Sequence, residues 1–273
     1  MKNTLLLIML FTALLLSARE YKRVVSLTPA VTEIIYTLDA GEFLVARSEA
    51  CDYPDEAKKL PVIGKIGKPD VEKILQLKAD LVISDMSVPA AEWDMLKRLN
   101  IKTVLLSSDK ISSYSRNIRI IGNLLGKNDQ AEKEIKRFFK ELEQLKKERA
   151  ADKNVSALIL LGVNPLVSCN KNTFVSEIVE LAGAVNIASN AGQSYFVISP
   201  EFAVEKNPEI AVLSGMSGDF RKHLFDISAW RYLRFIQNNA IIDSVPQECF
   251  CRLTPRTLQA VRLLRAEIKN KVR

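Results

Sequence analysis

Four cysteines are the side chains of this chain with the widest range of possible chemistry. They are Cys51, Cys169, Cys249 and Cys251. In an exported protein an even number of cysteines is typical of disulfides, and the sequence predicts a bridge from Cys169 to Cys249 or Cys251. Free thiols would instead suit a soft metal or ligand, so this alternative stays open. All four are predicted to lie in loops after strands, at the sheet edge where open α/β proteins bind ligands.

The sequence offers little support for catalysis. His223 is the one histidine, and a lone histidine is more often a surface or packing residue than a base. The chain has no GxSxG, HExxH or phosphate-binding glycine motif. A zinc or manganese carrier is also disfavoured, because such sites draw heavily on imidazole. We therefore predict a binding protein without catalytic residues and without a directly bound metal site.

Two short segments of the sequence match each other at a spacing of 129 residues (201 − 72 = 129). Each opens near a proline, Pro69 or Pro200, and places Glu72 or Glu201 in the first turn of a predicted helix. Attraction to the helix N-terminus explains either glutamate alone. Their equivalent positions instead predict two lobes with one matched surface anion each. The same spacing pairs Leu75 with Val204, Asp80 with Glu209, and residues 81–83 with residues 210–212.

Aromatic side chains occur in the same predicted loops as the cysteines: Tyr53, Tyr195, Phe196 and Phe250. A loop aromatic commonly covers its own core, which is the alternative explanation for each one. Four aromatics from both halves would form a wall suited to a large, flat ligand. Polar contacts at the rim of that site are predicted for Asp52, Asp85, Glu248 and Arg252.

The first 18 residues are typical of a secretory signal peptide. Lys2 precedes an apolar run at residues 5–16, which is too short to span a bilayer, and cleavage is predicted after Ala18. An uncleaved anchor is the alternative. No cysteine directly follows the apolar run, which argues against a lipid anchor there. The mature protein is therefore expected to be exported and soluble.

The charge of the chain does not indicate a nucleic-acid partner. The formal net charge is +7, and loss of Lys2 with the signal peptide lowers it by one. Basic residues are mixed with acidic ones, as in residues 133–149, and are not interleaved with aromatics. Such a pattern is typical of a solvated surface.

Strands and helices alternate along both halves of the chain, which predicts parallel α/β sheets. In the first half, strands are expected at residues 23–27, 44–46, 81–84 and 103–106, with helices at 30–38, from 70, at 89–99 and at 112–125. In the second half, strands are expected at 155–161, 210–213 and 240–243, with helices at 174–182, 199–206 and 255–269.

A single long amphipathic helix is predicted between the two halves. Its segment has no glycine or proline after Gly126, and apolar residues recur on one face from Ile135 to Leu145. The predicted organisation is a signal peptide at 1–18, an N-terminal α/β lobe at 19–126, a connecting helix at 127–152 and a C-terminal α/β lobe at 153–273. Such a rigid connection makes large closure motions less expected.

With these features in place, the sequence resembles the cobalamin and iron-chelate branch of the periplasmic substrate-binding proteins of ABC importers. The resemblance is carried by RVVSLTPAVTEIIYTL at 23–38, CDYPDEAKKLPVIG at 51–64, PDVEKILQLKADLVI at 69–83, GVNP at 162–165 and LTPRTLQAVRLL at 253–264. It implies the class III architecture, with two Rossmann-like lobes joined by one long α-helix. It also implies a periplasmic monomer that binds a small molecule between its lobes and works with an inner-membrane ABC permease and its ATPase.

The resemblance also implies roles for particular residues. The positions of Glu72 and Glu201 match the two glutamates with which the family meets arginines of the permease. The transported ligand would be cobalamin or another corrinoid, haem, or a ferric chelate. Haem would need an axial ligand, for which Tyr53, Tyr195 or a cysteine are the candidates.

The ligand pocket of the cobalamin-binding members is lined by tyrosine and tryptophans. The matching places in this chain are Ala50, Ile66, Asp85, Tyr195 and Cys249, of which only Tyr195 keeps an aromatic ring. The full predicted ligand-binding set is Pro29, Ala50, Cys51, Asp52, Tyr53, Ile66, Asp85, Val167, Tyr195, Phe196, Glu248, Cys249, Phe250 and Arg252. Two other functions stay open at this stage: a secreted two-lobed enzyme that uses the cleft cysteines, and a sensor that binds the same ligand and signals to a membrane partner.

Overall fold

The computed structural model describes residues 21–214, 220–250 and 252–272. The predicted signal peptide and Cys251 lie outside these residues. Within them, no helix combines the length and the apolar character that a membrane crossing requires. The chain divides into two units: residues up to 106 together with 115–134, and residues 107–114 together with 135–273. The predicted lobe boundaries, at residues 126 and 152, stay predictions.

The first unit is built on a parallel four-stranded sheet with the order β2-β1-β5-β6. The strands are β1 (Val24–Ser26), β2 (Leu44–Arg47), β5 (Leu81–Ser84) and β6 (Lys102–Leu105). A two-stranded antiparallel hairpin, β3 (Gly64–Lys65) and β4 (Lys68–Pro69), follows β2. β1 and β5 are completely buried, as expected for apolar strands covered by helices on both faces.

Four helices follow β-strands along this part of the chain: α1 (Pro29–Thr37) after β1, α2 (Val71–Gln76) after β4, α3 (Ala90–Arg98) after β5 and α4 (Ser113–Leu124) after β6. α1 begins with Pro29, where a proline costs no backbone hydrogen bond. α2 begins after Asp70, whose carboxylate accepts the Lys73 backbone N–H at 3.1 Å. That hydrogen bond caps the helix and lowers the pKa of Asp70 below its ordinary value.

The second unit contains a parallel sheet with the order β10-β7-β12-β13. Its strands are β7 (Val155–Leu160), β10 (Ala184–Asn186), β12 (Ile210–Leu213) and β13 (Ile241–Ile242). Its helices are α6 (Phe174–Ala182), α7 (Pro200–Lys206), α8 (Phe220–Asp226), α9 (Arg234–Gln237), α10 (Gln247–Phe250) and α11 (Thr257–Lys271). α6 ends at Gly183, whose φ of 114° suits glycine in a left-handed helix cap.

An antiparallel sheet of three short strands, ordered β11-β9-β8, is a feature of the second unit that the sequence did not predict. It comprises β8 (Gly162–Val163), β9 (Leu166–Cys169) and β11 (Tyr195–Val197). The prediction that Cys169, Tyr195 and Phe196 lie in loops is therefore wrong. All three belong to strands, and Tyr195 lies opposite Cys169 in the ladder.

The predicted long helix is α5 (Asn128–Arg149), with 22 residues. Its residues 128–134 belong to the first unit and its remainder to the second. Phe138, Leu142 and Leu145 are buried along one face, and the rings of Phe138 and Tyr114 lie 4.1 Å apart between centroids. The mixed α/β architecture with one long helix, as predicted, is confirmed.

The internal repeat is visible in strand pairing as well as in sequence. Val82 of β5 pairs with Val25 of β1, and Ala211 of β12, 129 positions after Val82, pairs with Leu158 of β7. β5 in the first parallel sheet and β12 in the second thus occupy equivalent places, each beside the first strand of its sheet. The two units therefore share a strand order, as the repeated sequence segments indicated.

The acidic pair Asp80 and Glu209 repeats a hydrogen-bonding role. The Asp80 carboxylate accepts the backbone N–H of Arg23 at 3.0 Å, directly before β1. The Glu209 carboxylate accepts the backbone N–H of Ser156 in β7 at 2.8 Å. This hydrogen bond from the Ser156 backbone N–H is the main reason why the pKa of Glu209 lies below its ordinary value. Asp80 thus joins the start of β5 to the start of β1, and Glu209 joins the start of β12 to the start of β7.

Candidate functional site

In the first unit, most predicted ligand-binding residues lie at one edge of the parallel sheet. β1, β2 and β5 run parallel, so their carboxyl ends meet at that edge. Pro29 follows β1, residues 50–53 follow β2, and Asp85 follows β5 directly. Ile66 lies between the two strands of the β3–β4 hairpin. Ligands of open α/β sheets bind at this edge, because loops from several strands converge there.

The exposure of these side chains differs within the loop that follows β2. The Tyr53 side chain is 47% exposed, and Ala50 and Asp52 are half-buried. Cys51 is fully buried, and its Sγ lies 3.3 Å from the Ser48 hydroxyl. Pro29 is also buried. Tyr53 is therefore the aromatic side chain of this loop that offers surface to a ligand.

Arg47, the last residue of β2, holds this loop through backbone carbonyls. Its guanidinium donates to the carbonyl oxygens of Ser48 at 3.0 Å and Glu49 at 3.2 Å. On the far side of the loop it donates to those of Ala57 at 2.8 Å and Lys58 at 3.1 Å. The side chain is buried, so these hydrogen bonds are shielded from water. The arginine thus joins both ends of the loop that carries Cys51 and Tyr53.

We expect Arg47→Met to destabilise the protein by about 3 kcal/mol, because four hydrogen bonds of a buried guanidinium are lost. The carbonyl oxygens of Ser48 and Ala57 keep a backbone N–H donor, from Cys51 and Leu60, whereas those of Glu49 and Lys58 lose the arginine donor. The urea midpoint of the purified protein measures this loss. Arg98→Met is the matched control, since Arg98 is an exposed residue of α3. An Arg47→Met midpoint equal to that of the control would contradict the role assigned to the guanidinium.

In the second unit, the small antiparallel sheet presents an apolar face. Val167 lies opposite Val197, and Tyr195 is two residues before Val197 on the same strand, so the three share a face. Tyr195 is 49% and Val197 64% exposed, and Val167 is half-buried. Two exposed apolar residues were missed by the sequence analysis: Val197, and Met86 beside Asp85 in the first unit. Val197 directly follows the predicted ligand residues Tyr195 and Phe196, which was the available signal for it.

The remaining predicted ligand residues lie in or beside α10. Glu248, Cys249 and Phe250 belong to this helix, so the prediction of a loop is wrong for Cys249 and Phe250. Cys249 and Phe250 are buried and pack inside the protein, which contradicts a ligand-facing aromatic wall at Phe250. Glu248 and Arg252 are partly exposed. A binding role for these two stays a prediction.

The thiols give no support to a cysteine-based site. Cys169 and Cys249 are both buried and are not joined to each other by a disulfide, so the predicted bridge between them is wrong. Pairing with Cys251 lies outside the described residues. In the parts of the chain that the structure covers, no cluster of three or more His, Cys, Asp or Glu side chains has the geometry to hold a metal ion.

The two predicted docking glutamates occupy equivalent places. Each is the second residue of its helix, Glu72 in α2 and Glu201 in α7, and each is exposed. Ser199 caps α7 by accepting the Phe202 backbone N–H at 3.3 Å. The pKa of Glu201 is lowered by its own backbone N–H and then by the Ser199 hydroxyl, so the carboxylate stays charged at mildly acidic pH. The pair presents one anion on the surface of each unit.

A cavity of about 870 Å³ in the second unit lies elsewhere. Its walls include Phe139 and Leu142 of α5 and Leu181 of α6, with Arg149 and Lys171 among its polar residues. None of the predicted ligand-binding residues lines it. The cavity therefore does not correspond to the ligand site that the sequence predicts.

Comparison with known proteins identifies the class of this chain. Residues 24–247 match the periplasmic binding protein family. The vitamin B12-binding protein of Vibrio parahaemolyticus is 28% identical over 265 residues, which cover 95% of this chain and 94% of that protein. The vitamin B12-binding protein of Yersinia pestis is 27% identical over 258 residues, which cover 94% of this chain and 90% of that protein.

Solved structures agree with this result. The periplasmic vitamin B12 binding protein BtuF of Vibrio cholerae aligns with a TM-score of 0.77 and 26% identity, over 93% of this chain and 98% of that one. The periplasmic heme binding protein HutB of Vibrio cholerae aligns with a TM-score of 0.79 and 25% identity, over 89% and 97%. These relatives are named as binding proteins, so the enzyme and sensor alternatives gain no support. The chain belongs to the periplasmic binding protein family.

Proposed function

We propose that this protein captures a bulky, metal-containing nutrient in the periplasm and delivers it to an ABC permease that is driven by an ATPase. The ligand class is a corrinoid such as cobalamin, a haem, or a ferric chelate. The relatives that support this class are named for vitamin B12 and for heme. The protein itself carries out no reaction in this proposal.

The observation that carries the proposal is the repeated glutamate. Glu72 and Glu201 are the second residues of equivalent helices, and each helix precedes the equivalent strand of its own parallel sheet. An acid that only interacts with the helix N-terminus would not have to recur at the equivalent position of the second unit. Paired surface anions suit a partner that offers cations, because complementary charges orient two proteins as they meet.

The surfaces at the sheet edges support a large ligand with apolar faces. Tyr53 in the first unit, and Tyr195 and Val197 in the second, are exposed although they are apolar or aromatic. Each surface lies beside residues of the predicted ligand-binding set. Aromatic rings stack well on flat macrocycles, and tyrosine also has a hydroxyl for polar contact or for axial binding of haem iron. These residues therefore support a macrocyclic ligand better than a small polar one.

A direct titration tests the ligand class. The mature protein, beginning at residue 19, is titrated with cyanocobalamin, haemin or ferrichrome, and binding is followed by intrinsic fluorescence and by the absorbance of each compound. We expect saturable one-to-one binding of one of the three, weakened about tenfold or more by Tyr53→Ala or Tyr195→Ala. Tyr232→Ala is the matched control, since Tyr232 is 71% exposed and outside the predicted site. Failure of all three compounds to bind would refute the proposed ligand class.

A further inference from the structure

Each docking glutamate has an exposed apolar residue one helical turn further on. Leu75 follows Glu72 by three positions in α2, and Val204 follows Glu201 by three positions in α7. Residues three apart in a helix are neighbours on its surface. Leu75 is 48% exposed and Val204 is 43% exposed. Each unit therefore presents a carboxylate and an aliphatic side chain side by side.

The internal repeat acts as a comparison between two versions of the same helix. At the position after the glutamate, the exposed Lys73 corresponds to the half-buried Phe202. One turn further along, Gln76 corresponds to Glu205. These positions differ in charge or in polarity. The glutamate is identical in both helices, and the residue three positions later is aliphatic in both. Helix packing does not explain this, because the buried positions are Val71 and Ile74 in α2 and Ala203 in α7.

Both helices are held firmly, so that each glutamate and its aliphatic neighbour have a fixed arrangement. Asp70 caps α2 through the Lys73 backbone N–H at 3.1 Å. In α7, the Trp230 indole N–H donates to the Pro200 carbonyl oxygen at 2.9 Å, next to Glu201. Trp230 is completely buried, so this contact anchors the first turn of α7 to the core.

We propose that Leu75 and Val204 are the apolar half of each docking site, and that the permease offers an apolar recess beside each cation that meets Glu72 or Glu201. This inference rests on the proposed function. Exposed aliphatic side chains are common singly, but these two continue the proposed docking surface in both units. Burial of Leu75 and Val204 would add affinity, whereas the carboxylates mainly set orientation and association rate.

The two contributions differ in their response to salt. Attraction between exposed charges is largely screened when they are more than about 8 Å apart at physiological ionic strength, and this distance is shorter at higher salt. Burial of an aliphatic side chain does not depend on screening. Loss of a glutamate should therefore matter less at high salt, whereas loss of Leu75 or Val204 should matter equally at low and high salt.

The test measures docking of the mature protein to its cognate permease and ATPase in lipid nanodiscs. The dissociation constant is measured at about 50 mM and about 500 mM salt for Leu75→Gln and Val204→Gln. We expect each substitution to raise it about tenfold at both salt concentrations, which corresponds to about 1.4 kcal/mol. Matched controls are Leu263→Gln and Val272→Gln, because these aliphatic residues are 38% and 45% exposed elsewhere in the second unit. The controls should leave docking unchanged.

The outcomes separate this inference from the proposal on which it rests. Wild-type docking by Leu75→Gln and Val204→Gln, together with loss of docking by Glu72→Arg and Glu201→Arg, would overturn the inference and leave the docking glutamates supported. An effect of Leu75→Gln that disappears at high salt would also overturn it. Normal docking by the glutamate variants would instead reject the proposed role of Glu72 and Glu201. Urea midpoints equal to wild type would show that all variants remain folded.

Discussion

Reversal of both proposed docking charges, by Glu72→Arg and Glu201→Arg in one protein, is expected to abolish the proposed delivery while ligand affinity stays within about twofold of wild type. Each substitution removes an attraction and places a cation where the partner is proposed to present another. Juxtaposed like charges cost several kcal/mol, so docking should weaken by about 100-fold or more. Both positions are exposed, so the fold should tolerate the change.

Uptake by cells and docking to the permease in nanodiscs are the two measurements for this variant, with ligand titration beside them. The control carries the same change in net charge at other exposed acids, Glu42→Arg and Glu143→Arg. If uptake by the docking variant and the control variant is equal, position does not matter and the role of the glutamates is wrong. If ligand binding is lost as well, the substitutions act through the fold and not through docking.

Trp230→Ala should cost about 3–5 kcal/mol of unfolding free energy, because it empties the place of a large buried side chain. The indole is completely buried, and its ring lies edge-on to Phe235 at 5.7 Å between centroids. Its N–H donates to the Pro200 carbonyl oxygen, which would then lose this side-chain donor. Backbone amides of α7 should also exchange with solvent faster, since this helix loses its anchor.

A second substitution separates the contribution of Trp230 packing to stability from the contribution of its N–H hydrogen bond. Trp230→Phe keeps much of the packing and removes the N–H, so about 1–2 kcal/mol is expected. Tyr232→Ala, two residues away and 71% exposed, is the surface control and should change stability by less than about 0.5 kcal/mol. Urea denaturation measures all three variants. Equal midpoints for Trp230→Ala and Tyr232→Ala would contradict the assigned packing.

The main elements of both parallel sheets were predictable because their signals are strong and local. The apolar runs at 81–84 and 210–213 are strands with those bounds, and the helix at 174–182 ends before Gly183 as predicted. The first run has three apolar residues followed by Ser84 and the second has four apolar residues, and short apolar runs between turn signals are typical of buried parallel strands. The repeat at a spacing of 129 residues then predicted two units without any knowledge of contacts in the fold.

The antiparallel sheet was missed because its strands carry too little pattern. β8 has two residues and β11 has three, whereas alternation becomes a usable signal over about four to eight residues. α10 has four residues, one turn of helix, so Cys249 and Phe250 showed no helical period. Their burial depends on contacts with distant parts of the chain, which a local pattern does not contain.

The Arg47 side chain also has a consequence for the ligand recognition that we propose for the segment with Tyr53. Because it joins residues 48–49 to residues 57–58, the segment with Tyr53 is already ordered before a ligand arrives. The conformational entropy of that segment is then lost during folding and not during capture. Such preorganisation favours specificity for the shape of the ligand, because an ordered loop does not rearrange to fit a ligand of a different shape.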